Sequence, residues 1–279
     1  MQNLNYITLT EMADGFSEYN LPQTSKLVGK SMDIYLDDGN ILNYHFKSKD
    51  KLVYLVKGGE DDKLTEEVSY IATEPKDQFF YFSYIHKKEV HVSIVLDYKR
   101  NIATVIFGVF PNDETDTLPI FKRVMADMPA YASQVFIHNA SIDTPYTAQT
   151  PKHEFTYELA GKNATYTYSA KDAYIHTYYD VDLFNWYCYS GNEKGLGDMD
   201  YVKFLKLDDN FYMIIWVEKI LHVISTITLN FDTNRSSGSM ASYEGKDYQG
   251  EILNVPSGAI IEVVDGVNVT KLKPGKLNK

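Results

Sequence analysis

Residues 166–176 read Tyr166-Thr167-Tyr168-Ser169-Ala170-Lys171-Asp172-Ala173-Tyr174-Ile175-His176. The run alternates, breaks at the polar turn Ser169 to Asp172, and alternates again, the pattern of a strand, a turn and a returning strand. Successive side chains of a strand point to opposite faces, so Tyr166 and Tyr168 share one face and Tyr174 opens the return. Three phenols gathered in this way line a polar cavity or decorate a wet surface.

Outward from this hairpin the same unit occurs twice. Leu27-Val28-Gly29-Lys30 lies 132 residues before Leu159-Ala160-Gly161-Lys162, and Phe79-Phe80-Tyr81-Phe82-Ser83-Tyr84 lies 132 before Phe211-Tyr212-Met213-Ile214-Ile215-Trp216. Ser93 falls on Ser225 at the same offset, and Leu96-Asp97-Tyr98 lies over Leu229-Asn230-Phe231 after a slip of one. A repeat of this length is a duplicated domain, since solenoid units recur at about 20–50 residues.

Within each unit, strand signals come roughly every 8–12 residues, the spacing of a sandwich or barrel. The first unit gives Met32–Leu36, Ile41–Phe46, Leu52–Val56, Val68–Ala72, Gln78–Ile85, Val90–Asp97 and Ile102–Phe107. The second gives Thr165–Tyr168, Ala173–Tyr178, Asn185–Tyr189, Asp200–Leu207, Phe211–Val217, Leu221–Leu229 and Ser237–Tyr243. A closed barrel of about eight to ten strands leaves room for one small ligand. One helix is expected from Leu118 to Met128, with Ile120, Phe121, Val124, Met125 and Met128 on one stripe between Pro119 and Pro129. The connector Pro129 to Pro151 adds a strand, Gln134–His138, or serves as a linker. The expected domains are a lead-in over 1–26, a first unit with its connector over 27–150, and a second unit over 151–279. The lead-in, with Leu4, Ile7, Leu9 and Met12, forms a short helix or an edge segment.

The 279 residues are 44% hydrophobic, enough for a core, and rich in Tyr (23) and Phe (14), residues that favour strands. A formal charge of −11 argues against nucleic acid and against an anionic membrane surface as partners. Cys188 stands alone, so neither an internal disulfide nor a Cys-x-x-Cys site can form. The first residues lack the basic and apolar regions of a signal peptide, and no apolar run nears the ~20 residues that span a bilayer. The expectation is a cytoplasmic protein with a small-molecule ligand, without cofactor or metal, and open to homo-oligomerisation.

Glu218 closes the face Tyr212, Ile214, Trp216, Glu218 of one strand. If that face lines a barrel, desolvation raises the carboxyl's pKa and poises it as a general acid or base. At a rim it would pair with Lys219 or Lys203 instead. His176 shares the face of Tyr174, and Asn185-Trp186-Tyr187-Cys188-Tyr189-Ser190-Gly191-Asn192-Glu193-Lys194-Gly195 is a strand running into a glycine-punctuated loop. Glu193 and Lys194 close over a pocket or form a solvated turn. No His-rich ligand cluster, phosphate loop or nucleophile elbow occurs.

Asp172-Ala173-Tyr174-Ile175-His176, followed by Trp186-Tyr187-Cys188-Tyr189-Ser190-Gly191-x-Glu193-Lys194-Gly195-Leu196, resembles the C-terminal half of the MoaF family, which bears a molybdenum-cofactor-biosynthesis name. Leu27-Val28-Gly29-Lys30, Asp37-Asp38-Gly39 and Val95-Leu96-Asp97 resemble its N-terminal half. The resemblance implies a mainly β fold, a tandem pair of lipocalin-like (calycin) antiparallel barrels with a short connecting helix. Gly161, Tyr166, Tyr168, Tyr174, Ser190-Gly191, Phe211, Trp216 and Glu218 also follow the order seen in phenolic acid decarboxylases, which are single lipocalin-like barrels. That likeness implies Tyr166 and Tyr168 as holders of an oxyanion, Tyr174 as their support, and Glu218 as acid/base toward a phenolic hydroxyl. His176, Trp186, Lys194 and Trp216 would line the ligand. The family's loop arginine falls near Leu196, leaving Lys194 as its replacement. In the first unit Ile34, Leu36 and His86 stand where the second has Tyr166, Tyr168 and Glu218. The function implied is binding of a small aromatic or phenolic molecule in the second barrel. The alternatives are a cofactor-independent lyase or isomerase, or an accessory protein in molybdenum-cofactor metabolism.

Overall fold

The structure is a computed structural model that describes residues 7–112, 114, 116, 118–219, 222–245 and 250–264. It is mainly β, with two closed antiparallel eight-stranded barrels in tandem. The first barrel runs in chain order through β1 (Ser31–Leu36), β2 (Ile41–Phe46), β3 (Lys51–Lys57), β4 (Thr65–Lys76), β5 (Phe79–His86), β6 (Val90–Asp97), β7 (Ile102–Val109) and β8 (Gln134–Ile142). Strands β1 to β3 bury every second residue, Met32, Ile34, Leu36, then Leu42, Tyr44, Phe46, then Leu52, Tyr54, Val56, as the alternation requires. The connector's optional strand is the one that closes the barrel, with Ile142 of β8 opposite Ile34 of β1.

The second barrel comprises β10 (Asn163–Thr167), β11 (Ala173–Tyr178), β12 (Leu183–Ser190), β13 (Gly197–Asp208), β14 (Phe211–Val217), β15 (Ile224–Asn230), β16 (Arg235–Tyr243) and β18 (Ile260–Val264). It closes where β12 pairs with β13 and where β18 pairs with β10. The two-residue β9 (Glu154–Phe155) lies on β13, and β17 (Ile252–Ser257) lies on β16. β17 and β18 meet β16 in a single register, from Tyr243↔Ile252 to Arg235↔Ile260, interrupted only at Gly258-Ala259. They are one strand broken in two, the counterpart of β8. Pro256 and Gly258 obscure that strand in the sequence. Leu4 of the lead-in and Leu221 of the expected strand Leu221–Leu229 lie outside the described residues.

Strands β5, β6, β14, β15 and β16 are buried along almost their whole length, because one face fills a barrel and the other meets the neighbouring barrel. Phe79 packs edge-on to Phe211, centroids 5.1 Å apart, with Tyr81, Val95, Ile106, Met213 and Ile215 around them. A polar layer lies in the same seam. The Tyr81 hydroxyl sits 2.8 Å from Thr226 Oγ1 and 2.6 Å from Ser239 Oγ, and His91 Nε2 is 3.0 Å from the same Ser239. The serines in the apolar strands thus serve the join between barrels.

Among the described residues there are two helices. α1 (Leu9–Phe16) is started by a capping box, Glu11 N donating to Thr8 Oγ1 and Thr8 N to Glu11 Oε2. It buries Leu9, Met12 and Phe16 in the second barrel, not the first. α2 (Ile120–Met125) is shorter than the expected span, and its apolar stripe faces outward, with Phe121 69% and Met125 68% exposed. Arg123 is its one buried residue, donating to the carbonyls of Pro129 and Tyr131. The connector is therefore held by a guanidinium rather than by the stripe. No described helix is long and apolar enough to cross a membrane.

Candidate functional site

The β10–β11 hairpin turns as its sequence suggests. Tyr168 N donates to Asp172 O at 2.9 Å, and the Ser169 hydroxyl donates to Asp172 Oδ2 at 2.6 Å. Asp172 is wedged between two glycines from distant parts of the chain. A Cβ on Gly15 of α1 would lie 2.2 Å from Oδ2, and one on Gly191, whose φ is +118°, would lie 2.2 Å from Oδ1. A Cβ at either place would have to displace the Asp172 side chain, so helix, hairpin and the loop after β12 close on one carboxylate.

Beneath this closure Tyr168, Tyr174, His176, Trp186, Trp216 and Glu218 face a common cavity. Met12 and Phe16 of α1, Glu193 of the loop and Met240 of β16 complete the walls. The free space is about 20 Å³, near the minimum for one water. Phe16 takes up the rest, its ring 4.2 Å from that of Tyr168 and 5.4 Å from Tyr174. Tyr166 is not among the lining residues. Its ring stacks on His176 at 4.1 Å and its hydroxyl bonds Tyr178. Lys194 is solvent-exposed, and Leu196 is buried in the apolar core. No Lys or Arg among the described residues lines the cavity.

The charges that do line it are acidic. Glu193 accepts the Tyr174 phenol on Oε2 at 2.7 Å, while its Oε1 is buried without a partner. Burial pushes this carboxyl up, Tyr174 partly opposes that, and Asp172 adds to it. Glu218 accepts Trp216 Nε1 at 3.0 Å. Burial, and then the Asp200 carboxylate, hold it well above the usual range against that bond. Asp200, also raised by burial, accepts Trp186 Nε1 at 3.0 Å and lies 3.4 Å from Lys219, which bonds Asp198 as well. Tyr131, from the connector, donates to Asp200 at 3.2 Å. Burial pushes His176 down to about 3, so it is neutral, and its Nδ1 has no partner. Cys188 is buried, with its thiol pushed up by burial.

Sequence reasoning missed Met12, Phe16 and Met240 as cavity residues, and left Glu193 between a pocket-closing loop and a solvated turn. The Glu193–Lys194 pair divides, one side chain inward and one outward. A tight turn, Lys194 N to Gly191 O and Leu196 N to Glu193 O, sets their directions. In the first barrel, His86 bonds Asp61 at 2.9 Å and Tyr54 at 2.6 Å beside a wider cavity of about 160 Å³. The two barrels thus differ at equivalent places.

Comparison with known proteins bears on the whole chain. A family model described as the MoaF N-terminal domain matches residues 4–112, and one described as the MoaF C-terminal domain matches residues 153–267. "Protein MoaF" of Klebsiella aerogenes is 25% identical over 258 residues, spanning 88% of this chain and 95% of its own. A solved structure named "Crystal Structure of a putative beta-lactamase from Burkholderia vietnamiensis" aligns with 43% of this chain and 97% of its own, at 13% identity and a TM-score of 0.32, too distant to argue from.

Proposed function

The chain belongs to the MoaF family, and from that premise we propose that its second barrel binds a small aromatic or phenolic molecule. The domain that binds it is taken as residues 151–279 together with α1, and its location as the cytoplasm. The observation that carries this reading is Phe16. A phenyl ring of the chain itself lies tilted against Tyr168, centroids 4.2 Å apart, in a cavity lined by further aromatic rings and two buried carboxyls. An aromatic ligand finds there a site already shaped for a ring, with polar groups to orient it.

The test is a thermal-shift screen of phenolic acids, catechols, monoamines and pterins on the native chain and on Glu218→Gln. A ligand at 100 times its Kd stabilises by about 2.7 kcal/mol, a readily measured shift. A hit that the variant loses supports the second barrel, and a flat screen overturns the reading.

A second reading, a cofactor-free lyase or isomerase, is favoured by Glu218, a buried carboxyl that burial and the nearby Asp200 carboxylate hold well above its ordinary pKa. General acid–base catalysis contributes on the order of 10²–10⁴-fold, so Glu218→Gln should abolish most turnover of any hit that reacts. The carboxylate-holding role of Tyr166 fits less well, because its hydroxyl is committed to Tyr178. A pterin phosphate would meet acids and no cation on the cavity wall, which places an accessory role in molybdenum-cofactor metabolism behind both readings.

A further inference from the structure

We propose that the ligand of the second barrel is an arylalkylammonium ion, its cationic head against Glu193 and Glu218 and its ring in the space Phe16 now fills. The inference rests on the reading of this barrel as a small-molecule site and adds the charge of what it takes. A cluster of acids alone would not justify it. Here one of them, Glu193, is 2% exposed and presents an oxygen with no partner to the cavity. A buried acceptor left unpaired is costly, and a donor that reaches it recovers that cost.

The chemistry of the walls selects the donor. The cavity that holds the two carboxyls is also lined by the rings of Tyr168, Tyr174, Trp186 and Trp216, and the negative face of an aromatic ring attracts a desolvated cation. A bare metal ion is poorly served, because hard cations take about six to eight oxygen ligands and this wall is mostly carbon. A carboxylate ligand is served worse still. It would face Glu193 and Glu218 with Asp172, Asp198 and Asp200 behind them, and Lys219 is engaged by the two last. His176 is neutral and offers no compensating charge.

The dimensions match in two parts. The open space of about 20 Å³ accepts a group the size of one water, which is also the size of an ammonium head. The remainder is occupied by Phe16, on a helix of eight residues whose buried side chains are Leu9, Met12 and Phe16 alone. The ligand's ring therefore replaces Phe16 on Tyr168, and α1 yields as the site fills.

Calorimetric titration of the full chain at pH 7 with 2-phenylethylamine, 2-phenylethanol and 3-phenylpropanoate tests this. The amine should bind at least about tenfold more tightly than either analogue. A cation favours the ionised form of both carboxyls, so binding should release protons from whichever of them still carries one. Heats measured in buffers of different ionisation enthalpy report that release. The groups facing the pair are Tyr168, Tyr174, His176, Asp172, Asp198 and Asp200, and an anionic ligand would reverse the sign by drawing protons in. Phe16→Ala should tighten the amine by roughly tenfold or more, since the competing ring is gone, and Glu193→Gln should weaken it by a similar factor. Equal or tighter binding of the alcohol or the acid overturns the assigned charge and leaves the aromatic site standing. If none of the three binds either the native chain or Phe16→Ala, the aromatic site falls as well. The three-ligand comparison on the native chain does not depend on any variant folding.

Discussion

The Tyr174 hydroxyl donates to Glu193 Oε2 at 2.7 Å, tying β11 to the loop that follows β12. The other oxygen of that carboxyl, Oε1, is buried without a partner. Tyr174→Phe should therefore cost about 1–3 kcal/mol, the range for a buried acceptor stripped of its donor. Tyr187→Phe, at a half-exposed ring, should change stability by less than ~0.5 kcal/mol. Urea melts of the two variants at neutral pH check the contrast.

Glu218 makes stability depend on pH in a stated direction. Its folded pKa lies above its unfolded one, so its contribution is complete below the ordinary carboxylate value and is lost as pH rises toward the raised value. Glu218→Gln keeps an acceptor for Trp216 and has no proton to lose. The variant should gain on the native chain by up to ~1.4 kcal/mol per pH unit through that window. Parallel melting curves for the two proteins from pH 5 to pH 8 would refute this.

The buried histidines act on the acid side. His91 and His176 are both pushed down to about 3 from 6.5, so each contributes stability above its unfolded value that is lost as pH falls. Replacing His176 with Phe, which preserves a ring against Tyr166, should make the loss below pH 6 shallower by about one proton. Melting temperature measured against pH for both chains gives the slope.

The seam between barrels predicts how the chain unfolds. With Tyr81 bonded to Thr226 and Ser239 of the other barrel, both halves should melt in one calorimetric transition. Tyr81→Phe leaves those hydroxyls short of a partner and should cost about 1–3 kcal/mol, a shift of about 2–4 °C per kcal/mol. Two resolved transitions in the native chain would contradict the fused seam.

Much of this fold is legible in the chain. Strict alternation, as in Ile41–Phe46 and Ala173–Tyr178, reproduces the strand limits found, because one face is wet and the other is not. The 132-residue repeat survives in space, with Phe79 and Phe211 opening equivalent strands. Alternation fails in β17 and β18, where Pro256 and a two-residue break hide a closing strand. The aromatic half of the cavity could be read from one face of two strands. Met12 and Phe16 could not, since they arrive from a helix some 150 residues earlier in the chain, and no local pattern says which barrel a helix will cover. The Thr8–Glu11 capping box is the signal that would have settled helix over edge segment. The stripe on α2 misleads in the other direction, an amphipathic pattern without a core to meet.

Helix α1 has a history during synthesis that its final position conceals. Gly258 donates its backbone N–H to the carbonyl of Phe16 across 242 residues. At about 5–20 residues per second, the ribosome needs roughly 12–50 s to deliver the second after the first. Through that interval the first described element to emerge has no barrel to enter, and Leu9, Met12 and Phe16 travel uncovered. Anything fused just ahead of this segment, or any chaperone that meets nascent apolar helices, competes with the barrel for it, and the native mouth is sealed only after the last described strand has left the tunnel.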